Sequence, residues 1–344
     1  MRLVTANDIE PWRRDLGWKR PDYGNIETVI GPDARTLDGL FDEASHWDVN
    51  VFSGLKAYPF IECALMRCMR TSTMLGVMSE ARNWHGLTGS LRLISGRLQA
   101  LRYANAISFV LAIGHLGEQW FRMSGYRPER LFRFGYFVPD PLLFGRSPNP
   151  AEASLHFNLV FIGQLVKRKG LDVLLRALAL TLSSRWRLTV IGDGEEATSL
   201  RDTARQFGIG DRVVFVGARE NEVAMAMLAS ADLLVLPSRW DGWGAVVNEA
   251  LMRGIAVLCS DRCGAADLLD APWRGCTFRA GDVGALSDAL RHWISQGRQS
   301  EAARDQRITW SQRIAGPSAA TYLAGVIDSV ANGQSRPAIP WLRN

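Results

Sequence analysis

The sequence predicts an α/β protein with two doubly wound domains facing a central cleft, and three observations lead there. A length of 344 residues suits two cores of roughly 150 residues better than one. From about residue 155 short β-rich runs alternate with longer helical ones, the order expected of a parallel sheet wrapped by helices. Between the halves, the turn formers Asp140, Pro141, Gly145, Pro148, Asn149 and Pro150 mark a linker. The expected domains are residues 1–145 and 151–315, with a helix and tail over 316–344 that can cross back to the first domain.

In the second half, 155–163, 187–191, 213–216, 233–236 and 255–259 read as strands. Helices are expected over 171–182, 195–207, 221–230, 244–253 and 282–294, the first with Leu171, Leu174, Leu175 and Leu178 on one face. The first half is less regular, yet 26–30, 48–52, 74–78 and 107–113 look like short buried strands. Over 91–103, Leu91, Ile94, Leu98 and Leu101 fall on one helical stripe, with Arg92, Arg97 and Arg102 around the rest. A core-facing helix is the expectation there, and a segment lying weakly on a membrane surface is the alternative.

Composition narrows the class. The chain is 47% hydrophobic, which describes a globular protein rather than a disordered one. Cys63, Cys68, Cys259, Cys263 and Cys276 match neither a zinc site nor a disulfide framework, so reduced thiols in a cytoplasm are expected. The first 25 residues carry Asp8, Glu10, Asp15 and Asp22 without an apolar run, and no stretch approaches the roughly 18 apolar residues of a spanning helix. A cytoplasmic protein is expected, peripheral on the inner membrane face if it meets lipid at all. Net charge is +5, and residues 82–146 hold 9 arginines against 3 acids. No nucleic-acid motif accompanies that charge, so nucleic acid is not an expected partner.

A doubly wound sheet binds ligands at the carboxyl ends of its strands, and three loops stand there. The first runs Gly163-Gln164-Leu165-Val166-Lys167-Arg168-Lys169-Gly170, three cations at the start of a helix, which suits a pyrophosphate. A solvated basic loop fits the same residues. The second is Pro237-Ser238-Arg239-Trp240-Asp241-Gly242-Trp243-Gly244, leading into a helix with Asn248 and Glu249. Its glycines permit close backbone approach to a ligand, and its two carboxylates could face one; a solvated turn Asp and an exposed helical Glu fit equally. The third, from Asp261 through Gly264 to Asp267, offers small residues or an ordinary glycine turn.

Together, in this order and spacing, the loops resemble family 4 of the GT-B glycosyltransferases (glycosyl transferases group 1) over residues 157–295. The Gly-Arg-Leu strand end and Lys-Gly helix start of that family read here Gly163-Gln164-Leu165 and Lys169-Gly170. Its two acidic residues bracketing a Gly-aromatic-Gly read Asp241-Gly242-Trp243-Gly244 through Glu249. The resemblance implies two Rossmann-like domains and transfer of a sugar from a UDP or GDP donor to a glycan or lipid-linked acceptor. It also implies retention at the anomeric carbon, no cofactor and no metal, as in surface polysaccharide or glycoconjugate synthesis. Lys169 would neutralise the diphosphate, Glu249 would accept ribose hydroxyls, Asp241 would contact the donor sugar, and the backbone of Gly242 to Gly244 would pass close to it. Gln164 stands where the family usually has a phosphate-binding Arg, with Arg168 the candidate replacement. Asp241 is one methylene shorter than the usual Glu. In the first half, Glu80 and His85 are the candidates for the His that family members often carry after a central strand. A nucleotide-sugar epimerase of the same fold and a non-catalytic nucleotide-sugar-binding protein are the competing readings.

Overall fold

A computed structural model describes residues 1–9, 14, 20, 23–43, 47–56, 58–71, 73–138, 156–181 and 185–342. The expected linker at 140–150 lies outside these residues. The chain divides into two compact units, Met1–Phe134 with Ile327–Ser335, and Gly135–Val326 with Arg336–Asn344. The described chain therefore leaves the first unit at Phe134, before the expected limit of 145. Residues 316–344 are no separate piece: 327–335 belong to the first unit and the remainder to the second.

In the first unit, β1 (Arg2–Thr5) and β2 (Glu27–Ile30) form a parallel pair. Helix α1 (Ala34–Glu43) follows, then β3 (Val49–Ser53), α2 (Pro59–Cys68), β4 (Met74–Ser79) and α3 (Gly86–Tyr103). Next come β5 (Phe109–Ile113), α4 (Gly114–Met123) and β6 (Leu131–Phe134). Strands β3 to β6 pair in sequence order, all parallel. Strand β5 is buried on both faces, as a central parallel strand covered by helices should be. The four expected strands correspond to β2, β3, β4 and β5; β1 and β6 were not foreseen.

Helix α3 corrects the sequence reading. Leu91, Ile94, Leu98 and Leu101 are exposed, and the face turned inward carries Gly89, Gly96, Ala100 and Tyr103. The reason is steric: a Cβ at Gly96 would lie 2.8 Å from Ser124 Oγ and 3.0 Å from Trp120 Cζ2. Small residues let the helix backbone sit directly on α4, leaving no room between them for leucines.

The second unit follows its expected alternation closely. Its strands are β7 (Phe157–Ile162), β8 (Trp186–Ile191), β9 (Val213–Gly217), β10 (Leu233–Leu236), β11 (Ala256–Ser260) and β12 (Gly275–Phe278). They are joined by α5 (Leu171–Ala179), α6 (Ala197–Gln206), α7 (Asn221–Ala229) and α8 (Val246–Leu251), with α9 (Val283–Gln296), α10 (Glu301–Ser311) and α11 (Gly316–Asn332) after the last strand. All six strands are parallel, in the order β12-β11-β10-β7-β8-β9. The core gathers Leu171, Leu174, Leu175 and Leu178 of α5 against Leu159, Phe161 and Leu188 of the sheet. Asp282 caps α9 by accepting from Ala285 N, which explains where that helix starts. The order of strands reverses between β7 and β10, the place where doubly wound sheets take ligands beyond the carboxyl ends of their strands.

Candidate active site

Two of the three loops leave the sheet at that reversal, one after β7 and one after β10. They are joined first through backbone. Arg239 N donates to Arg168 O at 2.8 Å. Gly170 sits at φ +69°, and a Cβ there would collide with Pro237 O, so only glycine permits both the turn and the close approach. The Arg239 guanidinium then grips both oxygens of Asp172 at 2.7 Å each, and its Nη1 also reaches Lys167 O at 2.8 Å. A planar fork is needed for that grip.

The charged side chains meet inside this frame. Lys169 Nζ lies 2.6 Å from Asp241 Oδ2, with the two side chains only 15% and 10% exposed. Ser238 Oγ donates to the same oxygen at 3.3 Å. Arg168 Nη1 donates to Trp240 O at 3.1 Å and stands 3.7 Å from Asp241 Oδ1. Gln164 is exposed at the mouth of the first loop. Two cations thus converge on Asp241, and Arg168 approaches from the loop that lacks an arginine at 164.

The third loop is tied to the second. Gly264 N donates to Asp241 O at 3.1 Å, Ala265 N to Trp243 O at 2.9 Å, and Asp241 N to Arg262 O at 2.9 Å. A Cβ on Gly264 would collide with Gly242 O. Gly264→Ala should therefore push the two loops apart and destabilise the protein by about 1–3 kcal/mol, seen as a lowered Tm. An unchanged Tm would show that the loops are not closely joined. Gly244, at φ +90°, closes the turn before α8.

Trp243 faces inward rather than toward a ligand. It is 1% exposed, donates from Nε1 to Asn248 Oδ1 at 2.8 Å, and packs edge-on against Tyr136 and Trp341. The Asn248 carboxamide is satisfied in turn by donating to Tyr136 O. The indole thus anchors the backbone at Gly242 and Gly244, the stretch expected to pass beside a sugar.

Glu249, one turn into α8, is partly buried, and its carboxylate accepts no hydrogen bond from the described residues. Burial raises its pKa above the ordinary carboxylate value, and the Arg253 charge opposes that rise. Gly163 ends β7 and donates to Ile191 O at 3.0 Å. A Cβ on Gly192, after β8, would strike Gly163 O, and one on Gly194 would lie 2.5 Å from Leu165 O. The Gly192-Asp193-Gly194 turn therefore backs the first loop. Its two glycines are the signal in the sequence that could have found this support.

Glu80 and His85 belong to the first unit. Glu80 follows β4 and lines a small cavity with Arg82, Trp120, Ser124 and Tyr126. His85 is exposed at the start of α3, its ring 5.4 Å from that of Trp84. Among the described residues no group of three His, Cys, Asp or Glu could hold a metal ion, and no helix is long and apolar enough to cross a membrane.

The fold is that of the GT-B glycosyltransferases. HepE of Anabaena, solved in complex with UDP and glucose, superposes with a TM-score of 0.69 over 95% of this chain and 99% of its own, at 15% identity. The lipopolysaccharide outer core galactosyltransferase WaaB gives 0.71 over 96% and 99%, also at 15% identity. Residues 152–309 match the family model described as glycosyl transferases group 1. Among curated relatives, a GDP-mannose-dependent alpha-(1-6)-phosphatidylinositol monomannoside mannosyltransferase of Mycolicibacterium smegmatis is 28% identical over 268 residues, 74% of this chain and 67% of that protein. The chain spans only 29%, 27% and 42% of the length of three other curated relatives that it matches.

Proposed function

We propose that this protein is a metal-independent, retaining glycosyltransferase of family 4, moving a sugar from a UDP or GDP donor to a glycan or lipid-linked acceptor in surface polysaccharide or glycoconjugate synthesis. The observation that carries the reading is the Lys169–Asp241 pair, held at the strand-order reversal by loops that come together through backbone contacts. The nucleotides named with HepE and with the mannosyltransferase support the donor class.

Each group has a task its chemistry suits. The Lys169 ammonium turns from Asp241 to the donor diphosphate, where it neutralises charge that grows as the glycosidic bond breaks. Arg168 supplies the second cation that Gln164 does not. Asp241, freed of part of its ion pair, accepts hydrogen bonds from sugar hydroxyls, and the backbone at Gly242 to Gly244 lies beside the ring. Glu249, an acceptor with no donor among the described residues, takes ribose hydroxyls. Glu80 and His85 are the first-unit candidates for positioning the acceptor or donating to the departing phosphate.

The test is thermal unfolding with UDP, GDP, UDP-glucose, GDP-mannose and ADP. One uridine or guanosine series should raise Tm, with about 2.7 kcal/mol of added stability at a ligand concentration 100 times Kd. A flat response to all five would overturn the assignment. Release of nucleoside diphosphate only with acceptor present then separates transfer from epimerisation.

A further inference from the structure

The outer face of α3 carries five large apolar residues, Leu87, Leu91, Ile94, Leu98 and Leu101, each between 55% and 89% exposed. With about 100° of rotation per residue, all five fall within an arc of about 80°. Gly89, Gly96, Ala100 and Tyr103 lie on the opposite side, turned inward. Scattered exposed leucines need no explanation, but a continuous stripe along a whole helix does. Met66, exposed on α2, accepts from Arg102 Nη2 and extends the apolar surface beyond the end of the stripe.

Charge selects the occupant. Helix α3 contains Arg92, Arg97 and Arg102 and no acidic residue. Arg97 and Arg102 border the stripe on its two sides, about 80° and 60° from its centre. Arg97 is held by Met123 O, and Arg102 stands 3.9 Å from Glu62, a carboxylate that Lys56 and the Tyr103 hydroxyl also engage. A second copy of this helix would set arginines against arginines. An apolar ridge between cationic borders suits a surface that is apolar beneath and anionic on top.

We propose that this face of α3 docks on an anionic lipid bilayer, the leucines and Ile94 entering the headgroup layer while Arg97 and Arg102 meet lipid phosphates. The helix is about 27 Å long and lies flat, since it has neither the uniform apolarity nor the charge-free flanks of a spanning segment. The inference stands apart from the donor-site reading, because it uses none of those residues.

Co-sedimentation of the full chain with vesicles tests it. Phosphatidylglycerol-rich vesicles should pull the protein down and phosphatidylcholine vesicles should not, with release as salt is raised. The triple substitution Leu91→Gln, Leu98→Gln and Leu101→Gln should cut the partition coefficient by more than about 100-fold. These side chains are already in water, so circular dichroism and the melting curve should remain those of the parent. Arg97→Gln with Arg102→Gln should abolish the preference for phosphatidylglycerol. The proposal is overturned if the parent stays in the supernatant with phosphatidylglycerol, if the triple variant sediments equally, or if light scattering finds a dimer that the triple variant dissolves.

Discussion

Lys169→Ala is expected to lower kcat by about 10²–10³-fold, the usual cost of removing one preorganised group that stabilises developing charge. The donor KM should move much less, because the diphosphate bears more charge in the transition state than in the bound donor. Arginine should not restore the rate, since a compact ammonium and a planar fork occupy different space at the 2.6 Å contact. The same variant strands Asp241, which is 7% exposed and would retain only Ser238 at 3.3 Å and Arg168 at 3.7 Å. A fall in Tm should therefore accompany the loss of rate, and Asp241→Asn in the same background should recover part of the Tm but none of the kcat. Steady-state kinetics well below Tm separate the two effects. A kcat within threefold of the parent would place the diphosphate elsewhere.

Glu249→Gln should weaken nucleotide binding about 10- to 100-fold, because hydrogen bonds to a carboxylate contribute about 1.5–3 kcal/mol each and the amide replaces it poorly. Its effect on the unliganded protein should have the opposite sign. Burial holds the carboxyl pKa above that of the unfolded chain, so the folded state binds this proton more tightly. Ionisation therefore costs stability. The cost is absent below the ordinary Glu range, develops as pH rises through that range towards the raised value, and is complete above it. At about pH 4 the parent and the variant should melt together, whereas at about pH 8 the variant should melt higher. Titration calorimetry with UDP and GDP checks the first effect, and melting curves at the two pH values check the second. A variant that melts lower at the higher pH would mean that the Glu249 carboxylate is satisfied within the protein.

The parts of the fold that could be read in advance share a physical cause. Strands β10 and β11 are buried along their whole length, β7 and β8 are mainly apolar with Asn158, Arg187 and Thr189 as interruptions, and each of the four has a glycine or an aspartate beside it, so run length and punctuation agree. Strands β6 and β12 are four residues long, stand at sheet edges and include Arg133 or Thr277, so neither length nor pattern marks them. On α3 the period was legible and its direction was not. A helical stripe of leucines reads as core by default, and only the partner surface of Trp120 and Ser124 reveals that the glycine side packs inward.

The candidate site divides in the same way. Its loops are local patterns after strands, and each could be found alone. That Lys169 and Asp241, 72 positions apart, touch depends on the chain returning β10 to the side of β7, which no local spacing encodes. The burial of Trp243 is equally non-local, since it depends on Tyr136 and Trp341, more than 90 residues away in either direction.

The three loops are stitched by main-chain atoms: Arg239 N to Arg168 O, Gly264 N to Asp241 O, and Ala265 N to Trp243 O. Only the glycines and a few buried anchors are committed to that stitching. The Gln164 side chain hangs from it toward solvent, whereas Arg168 is half-exposed and adds one side-chain bond, to Trp240 O. On the proposed reading of these loops as a donor site, a glutamine at 164 in place of an arginine is a change that leaves the main-chain scaffold intact, so that preference among donors can alter without refolding it.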